Sequence, residues 1–270
     1  MKNALLRCIV FWILFDALLY ILGRVLSLLP LEWPRLGFAL LGIADALLLI
    51  WLFLKNEKRS FKSIELYWNR YTVPKFLYGL LIGTLIMTVM IAVLIGFTDV
   101  QLQRSTNTIQ PLTWLMYLIV IIPLAWMEEL AFRSYTFIKL NSTYGLWWAQ
   151  LTSAVAFALY HVVYGWSWQV AFLGPFVWAF VFGLAAIVSR GIALPTGIHA
   201  ALNFLQLLTG MKADKLSVWT LELKPNHSAN AQAKLDATGV VLQILVLVTA
   251  VLCTWWFLYK KKTSTKKLLA

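Results

Sequence analysis

Apolar residues run along this chain in long stretches, separated by short polar connections. Eight such stretches stand out, at 5–29, 36–54, 76–97, 112–138, 146–165, 169–189, 192–209 and 239–259. A helix needs roughly 20 mostly apolar residues to cross a bilayer. The stretches carry no strict alternation that would argue for strands. The pattern predicts an all-α polytopic membrane protein of about eight transmembrane helices, a single integral-membrane domain over residues 1–270. The first stretch is long, contains Asp16 and lacks a small-residue cleavage site, so it reads as a retained span and not a signal peptide. Residues 58–71, KRSFKSIELYWNRY, differ from the rest. Their basic and aromatic residues at rough helical spacing suggest a short helix on the membrane surface, with a solvated loop as the alternative.

Composition supports the membrane reading. The chain is 61% hydrophobic and 13% charged, with a mean hydropathy of +0.78, where a soluble domain is nearer a quarter charged. The net charge of +12 does not point to nucleic acid. Basic residues sit in short connections between apolar runs, and no nucleic-acid-reading motif is present. With the N-terminus inside, sixteen Lys and Arg fall on the inner side and seven on the outer. The inner set includes Lys2, Arg7, Lys55, Lys75, Arg190 and Lys260; the outer set includes Arg24, Arg104, Lys212 and Lys215. The positive-inside rule then places both termini in the cytoplasm, and the reading assigns the protein to the bacterial cytoplasmic membrane with lipids as its surroundings. Trp33, Trp68, Trp114, Trp166 and Trp168 fit an interfacial belt. Cys8 and Cys253 give neither a disulfide framework nor metal-ligand spacing.

The informative residues are the ionisable ones inside the apolar runs: Asp16, Asp45, Glu128, Glu129, His161 and His199. A charge at the bilayer centre costs about 2.5–3.5 kcal/mol on insertion scales, so each needs a partner, a wet cavity or a neutral state. Glu129 and Arg133 are four apart on one helix face, the spacing of a neutralising pair. Glu128 lies about 100° further round and points elsewhere, which predicts separate tasks for the two carboxylates. His161 falls in the outer half of its run and His199 near the middle of its own. Modest tilt would bring both to Glu128. Asp16 and Asp45 read as polar contacts between the first two helices.

Three motifs follow in order on separate runs: EExxxR at 128–133, FxxxH at 157–161 and HxxxN at 199–203. This set resembles the CPBP family, which includes CAAX-type prenyl endopeptidases and bacteriocin-processing (Abi) proteins. The resemblance covers about 112–209, the catalytic-core helices. It implies an intramembrane glutamate endopeptidase whose site opens toward the cytosol. By position, Glu128 would be the general base, His161 would orient the water, and His199 with Asn203 would stabilise the oxyanion. Glu129 and Arg133 would hold the site together. The substrate would be a membrane-associated or lipidated protein or peptide, either prenylated or a leader peptide. No cofactor is expected.

The residues leave other readings open. Glu128, His161 and His199 make a possible zinc set with Asn203 behind it, although no HExxH is present. A catalytically silent scaffold, immunity or regulatory protein could share the same fold. A proton-coupled transporter would also use intramembrane Glu and His, but the chain has no inverted repeat. Taken alone, His161 could satisfy a backbone carbonyl, and His199 with Asn203 could be an interhelical hydrogen-bonding pair.

Overall fold

The computed structural model describes residues 3–28, 34–105, 111–212 and 217–269. Lys2, Trp33 and Lys215 lie outside the described residues, as do the side chains of Lys266 and Lys267. The chain is a bundle of helices: α1 (Asn3–Ser27), α2 (Pro34–Asn56), α3 (Thr72–Phe97), α4 (Pro111–Arg133), α5 (Tyr135–Tyr144), α6 (Leu146–Val163), α7 (Trp168–Leu173), α8 (Pro175–Ser189), α9 (Ala193–Leu208) and α10 (Ala231–Leu269). Among the described residues, seven helical segments are long and apolar enough to cross a membrane; α4 and α5 count as one, as do α7 and α8. The expected span at 192–209 is α9, whose 16 residues extend about 24 Å. That is short of the roughly 30 Å hydrocarbon thickness.

The surface helix expected over 58–71 is not formed as such. A four-residue 3-10 turn at Phe61–Ile64 is closed by Glu65, which takes a left-handed conformation with φ 59°. Tyr67, Trp68 and Tyr71 follow as exposed side chains. A left-handed non-glycine residue stops helix propagation at once.

Two structures tie the ends of the bundle. At one end β1 (Val100–Arg104) pairs antiparallel with β2 (Trp219–Leu223), bringing the α3–α4 and α9–α10 connections together. Beside this ribbon Asp99 accepts hydrogen bonds from the Ser228 hydroxyl at 2.8 Å and its amide at 3.2 Å. At the opposite end Glu57 accepts from Arg7 at 3.1 Å, Tyr135 at 2.6 Å and Lys139 at 2.8 Å, with Arg59 at 3.7 Å from its other oxygen. This clasp joins α1, the end of α2 and α5. Burial of the Glu57 carboxyl, which alone would raise its pKa, is outweighed by hydrogen bonds from Lys139 and Tyr135 and by the charges of Lys139 and Arg7; the net shift is downward.

Two packing devices position the polar helices. The first is a close approach of α3 and α9. A methyl group at Gly83 would stand 2.6 Å from the Ile198 carbonyl oxygen, and one at Gly197 would stand 3.0 Å from the Gly79 Cα. Gly79 and Gly83 form a GxxxG step, which lets helix backbones touch in lipid, where apolar side chains gain little by meeting. The second is the break at Ser134 between α4 and α5. A helix end in lipid must have its carbonyls satisfied. Here the Ser134 hydroxyl bonds the Leu130 carbonyl. Trp12 Nε1 and the Thr136 hydroxyl reach the Ala131 carbonyl at 3.3 and 3.2 Å, and the Ser153 hydroxyl reaches that of Phe132 at 2.9 Å. Side chains from α1 and α6 thus fix the end of α4 that carries the EExxxR residues.

Candidate active site

The last two turns of α4 place Glu128, Glu129 and Arg133 against α6, α8 and α9. Glu129 and Arg133 are fully buried, and Arg133 Nε lies 3.5 Å from Glu129 Oε2. Among the described residues, Arg133 Nη1 and Nη2 have no hydrogen-bond partner. Aromatic faces hold the cation instead: the guanidinium carbon is 4.2 Å from the Phe157 ring centroid, 5.2 Å from Phe182 and 5.8 Å from Phe132. A desolvated cation–π contact is worth about 2 kcal/mol or more, so three rings substitute for much of the lost hydration.

The other Glu129 oxygen, Oε1, meets His199 Nδ1 at 2.9 Å. On the far edge of the same imidazole, His199 Nε2 lies 3.5 Å from Glu128 Oε2. The two adjacent carboxylates therefore converge on one histidine, where helix geometry alone sent Glu128 elsewhere. The reason is that an imidazole presents nitrogens on two edges. A ring standing across the helix face can reach two residues 100° apart. Phe182 stacks on the His199 ring at 4.7 Å with planes 14° apart, and Phe157 meets it edge-on at 6.1 Å.

Exposure separates the two glutamates. The Glu128 side chain is 14% exposed and that of His199 9%, against 0% for Glu129. Of the two glutamates, only Glu128 can meet a molecule entering the site.

His161 sits at the end of α6. Its Nδ1 is 2.8 Å from the Phe157 carbonyl oxygen. A carbonyl only accepts, so Nδ1 carries the proton and Nε2 is left as an acceptor. The ring packs edge-on to Phe157 at 4.7 Å and Trp166 at 4.8 Å. Glu128, His199 and Lys212 are all within electrostatic reach of it. Asn203 does not touch the glutamates. Its Oδ1 accepts a hydrogen bond from Lys212 Nζ at 2.7 Å, which leaves the amide NH2 free to donate elsewhere.

Three functional candidates were not singled out by sequence reasoning. Phe157 was noted only as the partner position of His161, yet it touches Arg133, His161 and His199. Phe182 lies in an unbroken apolar run that gives no local signal. Lys212 reads as one of several loop cations. Among the described residues, Asp16 Oδ1 and Asp45 Oδ2 are buried without a hydrogen-bond partner, and neither aspartate joins the site residues by a hydrogen bond. Among the described residues, no three His, Cys, Asp or Glu side chains converge as a metal-binding group.

Comparison with known families finds a similarity over the core. Residues 110–205 match the Rce1-like family of type II CAAX prenyl endopeptidases. The match covers just over a third of the chain and contains Glu128, Glu129, Arg133, His161, His199 and Asn203. It is the family that the three motifs resemble, and it supports a membrane endopeptidase function. No curated protein matches the chain.

Proposed function

We propose that the Rce1-like core is a glutamate-dependent endopeptidase that cleaves a membrane-associated or lipidated peptide with water activated by Glu128. The observation that carries this reading is the His199 imidazole held between Glu129 at 2.9 Å and the partly exposed Glu128 at 3.5 Å. With His199 protonated and both carboxylates ionised, Glu128, Glu129, Arg133 and His199 sum to zero charge, a composition that lipid tolerates. Each His199 nitrogen then donates. Nδ1 is spent on Glu129, which fixes the ring, and Nε2 faces the side that Glu128 opens to.

In the proposed reaction Glu128 takes a proton from water while the oxygen adds to the scissile carbonyl carbon. His161 Nε2, an acceptor, holds the second water hydrogen. The developing oxyanion receives hydrogen bonds from His199 Nε2–H and the Asn203 amide, whose orientation Lys212 sets by occupying Oδ1. As the C–N bond breaks, Glu128 passes its proton to the leaving amine. Donors aimed at the oxyanion before it forms are worth about 3–4 kcal/mol each in well-studied cases. The proposal needs no metal, and the loop charges support a cytoplasmic position for both termini.

The test uses the full chain in proteoliposomes with an internally quenched, S-prenylated CAAX-type peptide and a leader-type peptide as parallel probes. Cleavage of either by the wild type, its loss in Glu128→Gln, and its survival after exhaustive chelation are expected. Turnover by Glu128→Gln would refute the general-base role. Loss on chelation with recovery on zinc addition would favour the metal reading.

A further inference from the structure

At the end of the bundle that carries the Glu57 clasp, a cavity of about 530 Å³ opens between α2, α3, α4, the start of α9 and the 61–69 segment. Its size falls within the roughly 300–1,000 Å³ typical of small-molecule sites. None of the motif residues lines it. Its wall along α4 is Ile122, Trp126 and Leu130, three residues one turn apart that span about 12 Å of helix. Ile122 and Leu47 stand near the middle of α4 and α2. Lys75, in the first turn of α3, and Arg190 and Glu65, in the connections at the end of the bundle, stand at the mouth. The cavity thus runs from the interface to mid-bundle, close to one leaflet of a hydrocarbon core about 30 Å thick. Ile122, Trp126 and Val73 along it are 40–47% exposed, so the slot is open sideways, where lipid lies.

The mouth has its own charge pattern. Among the described residues, neither Lys75 nor Arg190 has a side-chain hydrogen bond or ion pair. Arg190 is presented from a left-handed turn with φ 53°. Glu65 adds one negative charge, leaving the rim at a net +1, which matches a singly charged phosphodiester better than a free phosphate. Basic pockets between helices at the membrane surface suit anionic lipid headgroups.

We propose that this cavity is a lateral binding site for an anionic phospholipid of the bilayer. One acyl chain lies along Trp126 and Leu130, and the phosphodiester rests on Lys75 and Arg190. The seated chain touches Leu130, next to Glu129, and Thr196, one turn before His199, so it packs between the two helices that carry the site. The inference does not depend on the protease reading.

The test is photolabelling of the full-length protein in phosphatidylcholine nanodiscs, using a phosphatidylglycerol with a diazirine in its acyl chain, with adducts mapped by mass spectrometry. Adducts concentrated in 61–76, 122–130 and 190–196 are expected. They should fall about tenfold in the Lys75→Gln/Arg190→Gln double variant, as loss of charged contacts of about 1.5 kcal/mol or more would produce. They should also fall in Val73→Trp, which fills the slot and keeps both charges. Unlabelled phosphatidylglycerol should compete, and added phosphatidylcholine should not. Adducts spread evenly over the exposed helix faces, or equal competition by phosphatidylcholine, would overturn the proposal. Displacement by inorganic phosphate would make it a free-anion site. Displacement by an S-prenylated peptide would make it part of the substrate path. Either result also overturns the lipid assignment.

Discussion

The Arg133–Glu129 pair offers a quantitative check on how the membrane tolerates the site. At 3.5 Å and an effective dielectric of about 20, Coulomb's law gives an attraction of about 5 kcal/mol. Most of that offsets desolvation, so the net worth of the pair is small, but breaking it from one side strands a buried charge at about 3–5 kcal/mol. Arg133→Met should therefore destabilise the fold by about that amount, with added loss from the Phe157 cation–π contact at 4.2 Å. Glu129→Gln alone should cost about as much, since it leaves the guanidinium without its anion. The double variant Glu129→Gln/Arg133→Met, with neither charge, should recover at least about 2 kcal/mol of the summed loss. The assay is reversible unfolding by SDS titration of the purified protein, followed by far-UV circular dichroism. A coupling energy below about 0.5 kcal/mol, the range of independent sites, would refute the brace. The double variant should stay inactive even when folded, because His199 loses the carboxylate that fixes Nδ1.

Five further outcomes follow from the same structure. Glu128→Gln should fold with near-normal yield and lose peptidase turnover, checked by circular dichroism and peptide cleavage side by side. Glu57→Gln should lower stability by removing an anion shared by Arg7, Lys139 and Tyr135. Because the folded pKa of Glu57 lies below its ordinary value of 4.5, the gap between wild type and variant should be complete above about pH 5 and close as pH falls through the depressed value. A gap that widens on acidification would contradict the clasp. Gly197→Val should abolish folded yield, since a methyl there already meets the Leu80 amide nitrogen at 2.9 Å. Gly96→Ala, with nothing within 4 Å, should be neutral or mildly stabilising by up to about 1 kcal/mol. Lys212→Met should reduce kcat on the order of tenfold with KM little changed, as expected when a charged hydrogen bond of about 1.5 kcal/mol stops holding Asn203, and Lys212→Arg should restore most of it.

Much of this protein is legible from its residues in order. Long uninterrupted apolar runs can satisfy their backbone in lipid only as helices, so class and approximate span positions follow from the pattern of apolar residues alone. The Glu129–Arg133 pair is legible for a similar reason, because four residues on a helix place two side chains together whatever surrounds them. The three motifs mark out the core for the same local reason, and the family match over 110–205 covers them. The GxxxG step at 79–83 raised no expectation from the sequence, and only the arrival of α9 against α3 shows what it does. The tertiary structure decided what no spacing encodes. Glu128 and Glu129 meet at one imidazole because α9 is brought close enough for His199 to stand between them. Arg133 is tolerated because rings from three helices, Phe132, Phe157 and Phe182, face it. Asn203 is oriented by Lys212, beyond the end of its helix. These contacts join residues far apart in the chain, and the close approach of backbones that creates them depends on glycines whose effect appears only when a second helix arrives.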